Sequence, residues 1–432
     1  MDYPEAITWL ESHVNLEAVL AGRHSAPSLA RMRELVALMG DPQHSYPVIH
    51  ITGTNGKGST ARLVTALLRA SNLSVGTYTS PDLHRVNERL SWNGEPISDD
   101  EFADVLSALR QLEGLMAAVP SRFDLLTAAA FRWFADNAVD VAVVEVGLGG
   151  LWDATNVADA AVAVITNVEL DHQELLGPTR AHIAREKAGI VKPASTLVLG
   201  ETDPELAAIF DDTPAGRIVR RGTDFAVTEN RLAVGGRLID LRTPWSERRD
   251  VFLALHGAHQ ADNAVCALTA VEAFFDRAVG DAPLAEAFAT VRSPGRMEVV
   301  GRHPLVVLDG AHNPAGARAA AAALADFDVA GGLVLVVGML AGRDPSEMLE
   351  LLGAGAAKAV VATRAPSPRS LAPEEVAAAA SALGAGTVVV VDDPGRAVSR
   401  GTELASDDDI VLVTGSLYVV GAARSVLVAD RP

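Results

Sequence analysis

The chain has 432 residues, of which 49% are hydrophobic and 21% are charged, and its formal net charge at pH 7 is -19. A chain of this length usually forms more than one domain, and this composition is typical of a compact α/β protein rather than a disordered or disulfide-built one. The acidic balance disfavours nucleic acid and anionic membranes as partners, because both require a basic surface.

The segment Met1–Glu5 lacks the basic and apolar regions of a secretion signal, and the chain contains no run of about 20 apolar residues. We therefore expect a cytoplasmic protein with no membrane partner, and we expect a monomer. The apolar neighbours of Cys266, the single cysteine, predict burial on a helix face rather than a reactive thiol.

In the first half of the chain, short runs rich in valine and isoleucine alternate with helical patterns, which is typical of βαβ units in a parallel sheet. The predicted strands are Val48–Thr52, Val75–Thr79, Val141–Val146 and Ala161–Thr166. The carboxyl ends of parallel strands share one edge of a sheet, where such proteins bind ligands. We therefore expect one site formed by the segments that follow these strands, Gly53–Ser59, Ser80-Pro81, Gly147–Asn156 and Asn167–His172.

The first of these segments, Gly53-Thr54-Asn55-Gly56-Lys57-Gly58-Ser59, follows a strand and precedes a helical pattern. Its glycines allow backbone N–H groups to turn toward an anion, the helix N-terminus adds partial positive charge, and Lys57 can reach terminal phosphates. The general phosphate-loop pattern has another glycine where this chain has Ile51. Alone, the loop predicts a nucleotide site, with a structural turn as the alternative.

Glu145 lies in an apolar strand, where a carboxylate is costly to bury unless it is paired or bound to a metal. Asp171, His172 and Glu186 supply further candidate ligands, and oxygen ligands suit Mg²⁺ bound together with phosphates. A buried structural ion pair is the alternative for Glu145.

From about residue 198 to 255 the pattern weakens, and short alternating pieces predict a small antiparallel ribbon. Ser293-Pro294-Gly295 predicts a turn or hinge, and Asn313-Pro314 predicts the capped start of a helix. A second series of strands is predicted at Leu305–Leu308, Leu333–Val337, Ala359–Thr363, Thr387–Val391 and Ile410–Thr414. The sequence thus predicts an α/β protein, with a phosphate-loop domain and mostly parallel sheet over residues 1–294 and a smaller Rossmann-like α/β domain over residues 295–432.

The chain resembles the folylpolyglutamate synthase/dihydrofolate synthase family of Mur-type ligases. The resemblance is carried by motifs spread over nearly the whole chain, including His50–Ser59, Glu145–Gly150, Arg185–Ile190 and Asp309–Pro314. It implies a Mur ligase fold and an ATP-dependent enzyme that adds L-glutamate to a folate-type carboxylate, of dihydropteroate or of tetrahydrofolate polyglutamates. The reaction would pass through an acyl phosphate and release ADP and phosphate.

The resemblance also implies roles for individual residues. Catalysis would depend on Lys57, Glu145, His172 and Lys187. Two magnesium ions would be bound by Ser80, Glu145, His172 and Lys187, the last after reaction with CO₂ to give a carbamate. ATP would be bound by Thr54, Asn55, Gly56, Lys57, Gly58, Ser59, Asn263, Arg296, Asp309 and His312.

For the two remaining substrates the resemblance implies two further groups of residues. The pterin or folate would contact Ser28, Leu29, Asp82, Phe123, Asp124, Trp152, Asp153 and Ala154. Glutamate would contact Arg343, Ser416 and Tyr418.

Three positions near the pterin group depart from the family pattern. Asp82 stands in place of a histidine, Asp124 in place of a glutamate and Leu151 in place of an arginine. These departures leave open a related ligase acting on a different carboxylate. A phosphate-loop kinase or regulatory nucleotide-binding module is a third possibility, but it would not explain Arg296, Asp309 and His312 in a second domain.

Overall fold

The computed structural model describes residues 1–15 and 29–428. Within these residues the chain forms two compact units. The first unit comprises Met1–Ala233, Leu238–Ala254 and Gln260–Val291, and the second comprises Val234–Arg237, Leu255–His259 and the chain from Arg292 onward. Most strands are parallel, so the α/β class with mostly parallel sheets is confirmed.

The elements before Arg292 alternate between strands and helices. The described strands are β1 Val48–Thr52, β2 Val75–Tyr78, β3 Leu90–Trp92, β4 Glu95–Pro96, β5 Val141–Glu145, β6 Ala160–Ile165, β7 Thr196–Leu199, β8 Arg217–Arg220, β9 Ala226–Ala233, β10 Gly236–Arg242 and β11 Glu247–Leu253. The described α-helices are α1 Tyr3–Glu11, α2 Leu29–Leu38, α3 Lys57–Ala70, α4 Asp99–Glu113, α5 Arg122–Asp136, α6 Gln173–Leu176, α7 Arg180–Ala188, α8 Pro204–Ala207, α9 His259–Phe275 and α10 Asp281–Thr290.

In this part of the described chain, eight strands form one sheet in the order β4-β3-β2-β5-β1-β6-β7-β8. β1 lies between β5 and β6 and is parallel to both, whereas β3 is antiparallel to β2. Every residue of β1 and β5 is buried, as expected for strands covered on both faces. The carboxyl ends of β1, β2, β5 and β6 therefore lie at one edge of this sheet.

A separate three-stranded sheet has the order β11-β10-β9. Only two residues join β9 to β10, and so short a connection makes the two strands antiparallel. The three strands, at residues 226–253, lie within the region near residues 198–255 where a small ribbon was predicted. β7 and β8 precede it and are parallel strands of the large sheet.

The prediction that Cys266 is buried on a helix face is confirmed. Cys266 is buried in α9, and burial raises the pKa of its thiol to about 12, which keeps it protonated and unreactive. None of the helices within residues 1–15 and 29–428 has the length and apolar character needed to cross a membrane.

The second unit contains a sheet whose strands, among the described residues, have the order β12-β13-β17-β14-β15-β16. These strands are β12 Glu298–Arg302, β13 Leu305–Leu308, β14 Leu333–Val337, β15 Ala359–Ala362, β16 Thr387–Val390 and β17 Ile410–Thr414. The α-helices between and after them are α11 Pro314–Leu324, α12 Pro345–Leu351, α13 Pro373–Ala382, α14 Pro394–Leu404 and α15 Leu417–Leu427. The Asn313 side chain caps α11 through the Gly316 N–H at 2.8 Å, as predicted.

Asp409 connects three segments at the amino-terminal edge of this sheet. Its carboxylate accepts hydrogen bonds from the backbone N–H groups of Gly332, at 2.7 Å, and Ser406, at 2.6 Å, and from Lys358 Nζ, at 2.6 Å. Burial raises the pKa of Asp409, but these hydrogen bonds outweigh it and hold the pKa below its usual range. The ionised carboxylate therefore stabilises the second unit.

We predict that Asp409→Ala lowers the free energy of unfolding by about 1 to 3 kcal/mol at pH 7, because the backbone N–H groups of Gly332 and Ser406 and the ammonium of Lys358 lose the buried carboxylate that accepts their hydrogen bonds. A carboxyl whose pKa is depressed by folding stabilises above its unfolded pKa, so the difference from wild type should shrink below about pH 4. Urea unfolding at pH 7 and pH 3 measures both effects. The exposed neighbour Asp407→Ala is the matched control, and equal stabilities of the two variants at pH 7 would contradict the prediction.

Candidate active site

The loop Gly53–Ser59 connects β1 to α3, as the sequence predicts. Gly56 has a φ of 83°, and a Cβ atom there would overlap Oδ1 of Asn263, so both backbone and space require glycine. Lys57 Nζ donates to the carbonyl oxygens of Gly53, at 3.1 Å, and Thr54, at 3.4 Å. The loop thus combines the first N–H groups of a 14-residue helix with an ammonium group, and this combination suits a phosphate.

The segment after β6 holds the loop by hydrogen bonds. The N–H groups of Thr54 and Asn55 donate to the backbone oxygen and to Oδ1 of Asn167, at 3.0 and 2.9 Å. Thr166 Oγ1 donates to the Asn55 carbonyl at 2.6 Å. Asn167 belongs to the segment Asn167–His172 that was predicted to help form the site, but neither Asn167 nor Thr166 was predicted to take part in ATP binding.

The first turns of α9 bring Asn263 to the phosphate loop, as its predicted role in ATP binding requires. Asn263 Nδ2 donates to Gln260 Oε1 at 2.9 Å, and Gln260 Nε2 lies 3.5 Å from Ser59 Oγ. Both amide side chains are buried. Ser59 of the phosphate loop and Gln260 of α9, which are 201 positions apart in the sequence, are therefore neighbours in the folded chain.

We predict that Gly56→Ala weakens ATP binding by about tenfold or more, because the added methyl group displaces Asn263 and shifts the loop. Gly222→Ala is the matched control, since Gly222 has a φ of 87° and open space around its Cβ position. Both variants should lose roughly 1 to 2 kcal/mol of stability from the left-handed backbone. Calorimetric titration with an ATP analogue distinguishes them, and similar affinities for the two variants would contradict the prediction.

Glu145 is the last residue of β5 and is 3% exposed. Its Oε2 accepts a hydrogen bond from the backbone N–H of Ser80 at 3.2 Å and lies 3.4 Å from the position of a Cβ atom on Gly58. The predicted metal ligands Ser80 and Glu145 are thus neighbours, next to the phosphate loop. This donor set, a carboxylate and a hydroxyl, fits the preference of Mg²⁺ for oxygen.

Lys187 lies in the last turn of α7 and is 3% exposed. Within residues 1–15 and 29–428, its ammonium forms no hydrogen bond and no ion pair. Burial lowers the pKa of Lys187 well below its usual range, the positive charge of Lys57 lowers it further, and Asp171 and Glu186 act in the opposite direction. Lys187 therefore lies within electrostatic range of the phosphate loop and favours the neutral amine.

His172 begins the short helix α6 with a left-handed φ of 49°. Its backbone N–H donates to Oδ1 of Asp171 at 2.8 Å, and its Nε2 lies 3.7 Å from the same oxygen. Asp171 is 6% exposed. Among the described residues, no group of three or more histidine, cysteine, aspartate or glutamate side chains could hold a metal ion. The predicted ligand set of Ser80, Glu145, His172 and a modified Lys187 contains only one glutamate and one histidine. The absence of a group of three therefore does not test this set.

Several residues predicted to contact the pterin lie in the segment Gly147–Ala154 or contact it. A Cβ atom on Gly147 would collide with the Phe123 ring and lie 3.2 Å from Asp153 Oδ2. Burial raises the pKa of Asp153 to about 6, although hydrogen bonds from Thr155 and from the Leu148 N–H oppose the shift. Ala154 is buried in the 3₁₀-helix that Asp153 caps, and the Trp152 N–H donates to Glu186 at 3.3 Å.

Asp82 and Asp124, which depart from the family pattern, both have partners in the folded chain. Asp82 accepts a hydrogen bond from Arg89 Nε at 2.6 Å, and Arg89 is 2% exposed. Asp124 Oδ2 accepts from the N–H and hydroxyl of Ser121, at 2.8 and 2.7 Å, and so forms the capping box of α5. The predicted contact residue Leu29 begins α2, and Ser28 lies outside the described residues.

In the second unit, Asp309 follows β13 and organises the adjacent loops. Its two carboxylate oxygens accept hydrogen bonds from the N–H groups of Met297 and Ala311, each at 2.9 Å. Arg296 Nη1 occupies the space beside Gly310, and His312 Nδ1 lies 2.8 Å from the Gly310 carbonyl oxygen. The structure therefore brings the predicted residues Arg296, Asp309 and His312 together.

The predicted glutamate contacts also follow strands of this unit. Arg343 follows β14, and Ser416 and Tyr418 follow β17. Ser416 Oγ accepts a hydrogen bond from the Tyr418 N–H at 3.2 Å and caps α15. Because β17 lies between β13 and β14 and is parallel to both, the segments after these three strands share one edge of the sheet.

Comparison with known proteins finds two family matches. Residues 105–271 match the Mur ligase middle domain, and residues 295–417 match the Mur ligase, glutamate ligase domain. The dihydrofolate synthase/folylpolyglutamate synthase of Mycobacterium tuberculosis is 41% identical over 94% of this chain and 91% of its own length.

Two solved structures have a similar fold over nearly the whole chain. The M. tuberculosis folylpolyglutamate synthase complexed with ADP and AMPPCP superposes with a TM-score of 0.91 at 39% identity and covers 100% of both chains. A bifunctional folylpolyglutamate synthase/dihydrofolate synthase with Mn, AMPPNP and L-glutamate bound gives a TM-score of 0.85 at 27% identity, over 99% of this chain and 98% of the other.

Proposed function

The chain belongs to the dihydrofolate synthase/folylpolyglutamate synthase family of Mur ligases, which are ATP-dependent ligases, and we propose that it adds L-glutamate to dihydropteroate or to tetrahydrofolate polyglutamates. One observation carries the assignment of the site. The phosphate loop and the buried carboxylate of Glu145 lie at the carboxyl edge of one mostly parallel sheet, and Cα of the buried Lys187 lies 3.1 Å from the position of a Cβ atom on Gly150, in the segment that follows β5 at that edge. We take residues 1–294 and 295–432 as its two domains, and a cytoplasmic monomer as its form.

The proposed reaction has two steps at the substrate carboxylate. A carboxylate oxygen attacks the γ-phosphorus of ATP, the bond to ADP breaks, and an acyl phosphate forms. The amine of glutamate then attacks the acyl carbon, the C–O bond to phosphate breaks, and an amide forms with loss of a proton from nitrogen. Phosphate therefore leaves with one oxygen of the original carboxylate.

Lys57 and the start of α3 would bind the phosphates of ATP. Negative charge spreads over the transferring phosphoryl group, and the protein contributes mainly by positioning and by fixed positive charge. The ammonium of Lys57 and the N–H groups after Gly56 supply that charge on one side of the group. Thr54, Asn55, Ser59 and Asn263 support the loop through the contacts described above.

The observed donor set supports a divalent metal site beside the loop. Glu145 and Ser80 would hold one ion, and His172 with a carbamate on Lys187 would hold a second. Bound magnesium supplies neutralisation of phosphate charge and alignment of the reacting oxygens. The hydrogen bond from the Ser80 backbone N–H to Glu145 keeps these two residues close together, which supports this half of the proposed set.

The surroundings of Lys187 support its modification. A buried ammonium without an ion-pair partner is costly, so the neutral amine is favoured, and the neutral amine is the form that attacks CO₂. Attack forms an N–C bond and releases one proton, and the product carries a carboxylate-like negative charge. A cation that would repel a metal ion thereby becomes an oxygen ligand.

In the second domain, we propose that Arg296, Asp309 and His312 contact the nucleotide and that Arg343, Ser416 and Tyr418 contact glutamate. The support is their common position after neighbouring parallel strands and the match of residues 295–417 to the glutamate ligase domain. Phe123, Trp152, Asp153 and Ala154 would contact the pterin. Asp82 and Asp124 are engaged with Arg89 and Ser121, so their carboxylates would shape this pocket indirectly.

The test is a glutamate-dependent ADP-release assay run separately with dihydropteroate and with tetrahydrofolate, followed by mass analysis of the products. We expect ADP rather than AMP and a product heavier than the acceptor by one or more glutamyl residues. ADP release with neither acceptor, but with another carboxylate, would support a related Mur-type ligase instead. ATP consumption that needs no amino acid would indicate a kinase-type activity.

A further inference from the structure

Arg180, the first residue of α7, binds the segment that follows β6. Its Nε donates to the Val168 carbonyl oxygen at 2.8 Å, its Nη1 to Asp203 Oδ2 at 3.0 Å and its Nη2 to Glu201 Oε2 at 3.4 Å. The side chain is 32% exposed. One guanidinium group therefore joins the loop after β6 to the loop after β7.

Glu201 completes this arrangement from a buried position, at 7% exposure. Its Oε2 accepts a hydrogen bond from the Val168 N–H at 2.8 Å, and its Oε1 accepts from the N–H groups of Thr202, at 2.9 Å, and Asp203, at 2.8 Å. The ion pair thus binds both the N–H and the C=O of Val168. An ion pair with one partly exposed partner adds little net stability, so its main effect is to fix one backbone conformation.

The conformation that it fixes is that of the segment holding the phosphate loop. Thr166 and Asn167, directly before Val168, bind Thr54 and Asn55 through the hydrogen bonds described above. Directly after Val168, the Glu169 N–H donates to Thr54 Oγ1 at 2.9 Å, and Thr54 Oγ1 lies 3.1 Å from the Glu169 carbonyl oxygen. The backbone of Val168 is therefore held by Arg180 and Glu201, and the residues on either side of it form hydrogen bonds with the phosphate loop.

We propose that Arg180 and Glu201 are positioning residues for the phosphate loop: by clamping the Val168 backbone, they set the conformation of Thr54 and Asn55 that binds nucleotide. Neither side chain contacts the loop itself. The inference rests on the proposed role of Gly53–Ser59 in binding phosphate. It extends the nucleotide site to a pair that no predicted motif contains.

The test uses the full chain and four variants, Arg180→Met, Arg180→Lys, Glu201→Gln and the Arg180→Met/Glu201→Gln double variant. Affinity for AMPPNP is measured by calorimetric titration without acceptor, and the melting temperature of each variant is recorded. We expect Arg180→Met and Glu201→Gln each to raise the Kd for AMPPNP by about tenfold or more, because loss of a group that orients a binding residue has an effect of this size. Because the pair acts as a unit, the double variant should lose no more than the weaker-binding single variant.

Two controls separate positioning from general destabilisation. Arg132→Met removes an exposed ion pair to Asp136 and should leave both affinity and melting temperature unchanged. Arg180→Lys keeps the charge but replaces the three separate nitrogen donors of the guanidinium by one point-like ammonium, so it should bind with intermediate affinity. It also provides a folded variant if Arg180→Met does not fold.

A lower melting temperature with unchanged Kd in Arg180→Lys and Glu201→Gln would overturn the inference, since it would show a structural role only. Lys57→Ala is titrated alongside. If Lys57→Ala weakens AMPPNP binding and the Arg180 and Glu201 variants do not, the inference alone fails. If Lys57→Ala also binds normally, the phosphate role of the loop fails first.

Discussion

Lys57→Ala is expected to lower the rate of glutamate-dependent ADP release by about 10³-fold or more, because no other ammonium group projects from the phosphate loop. Charge that develops on the transferring phosphoryl group would lose its fixed counter-charge. The fold should survive, since the hydrogen bonds of Lys57 Nζ within the described residues go only to the carbonyl oxygens of Gly53 and Thr54, in its own loop. Steady-state kinetics and thermal unfolding measure the two properties.

The matched control is Arg69→Ala, which removes a cation from the other end of the same helix, where the side chain is exposed. Its activity should equal that of wild type. Full ligase activity in Lys57→Ala would contradict the phosphate-loop assignment. A loss of activity accompanied by an equal loss of folded protein would point to a structural role for Lys57.

Lys187→Ala is expected to be inactive, and millimolar acetate or formate should partly restore its activity. The physical reason is that the proposed carbamate serves as an anionic oxygen ligand, which a small carboxylate can replace in the cavity left by the lysine side chain. Stability should be unchanged or higher, because the variant removes a buried amine without a hydrogen-bonded partner among the described residues.

Direct observation of the modification complements the kinetics. Wild-type enzyme in ¹³C-labelled bicarbonate should show a carbamate carbon signal by NMR that Lys187→Ala lacks. Lys192→Ala removes the next lysine along the chain, which contacts the Asn156 carbonyl, and should keep both signal and activity. Unimpaired activity of Lys187→Ala without additives would contradict the proposed carbamate on Lys187.

Much of the fold is predictable because buried parallel strands have an unmistakable composition. β1, β13, β14 and β17 have the predicted bounds, β2, β5, β15 and β16 differ by one residue at one end, and β6 begins and ends one residue earlier than predicted. β3 and β4 were not predicted, because strands of three and two residues are too short to show alternation. β8 was absorbed into the predicted ribbon, since arginines occupy both of its ends.

The position of a site residue is predictable when the residue directly follows a strand. It is less predictable when contacts between distant loops determine its partners. Glu145, Ser80 and the phosphate loop adjoin as expected from the shared sheet edge. The pairing of Asp82 with Arg89 and the clamp of Arg180 and Glu201 on Val168 depend on how loops meet in space. Neither spacing nor residue type along the chain contains that information.

The proposed site activates a carboxylate as an acyl phosphate before glutamate attacks. The most direct measurement uses dihydropteroate, or the acceptor identified by the product assay, with ¹⁸O in its carboxylate, and mass analysis of the released phosphate. The proposed reaction transfers one ¹⁸O atom to each phosphate formed. Unlabelled phosphate, or ¹⁸O recovered in AMP, would contradict it.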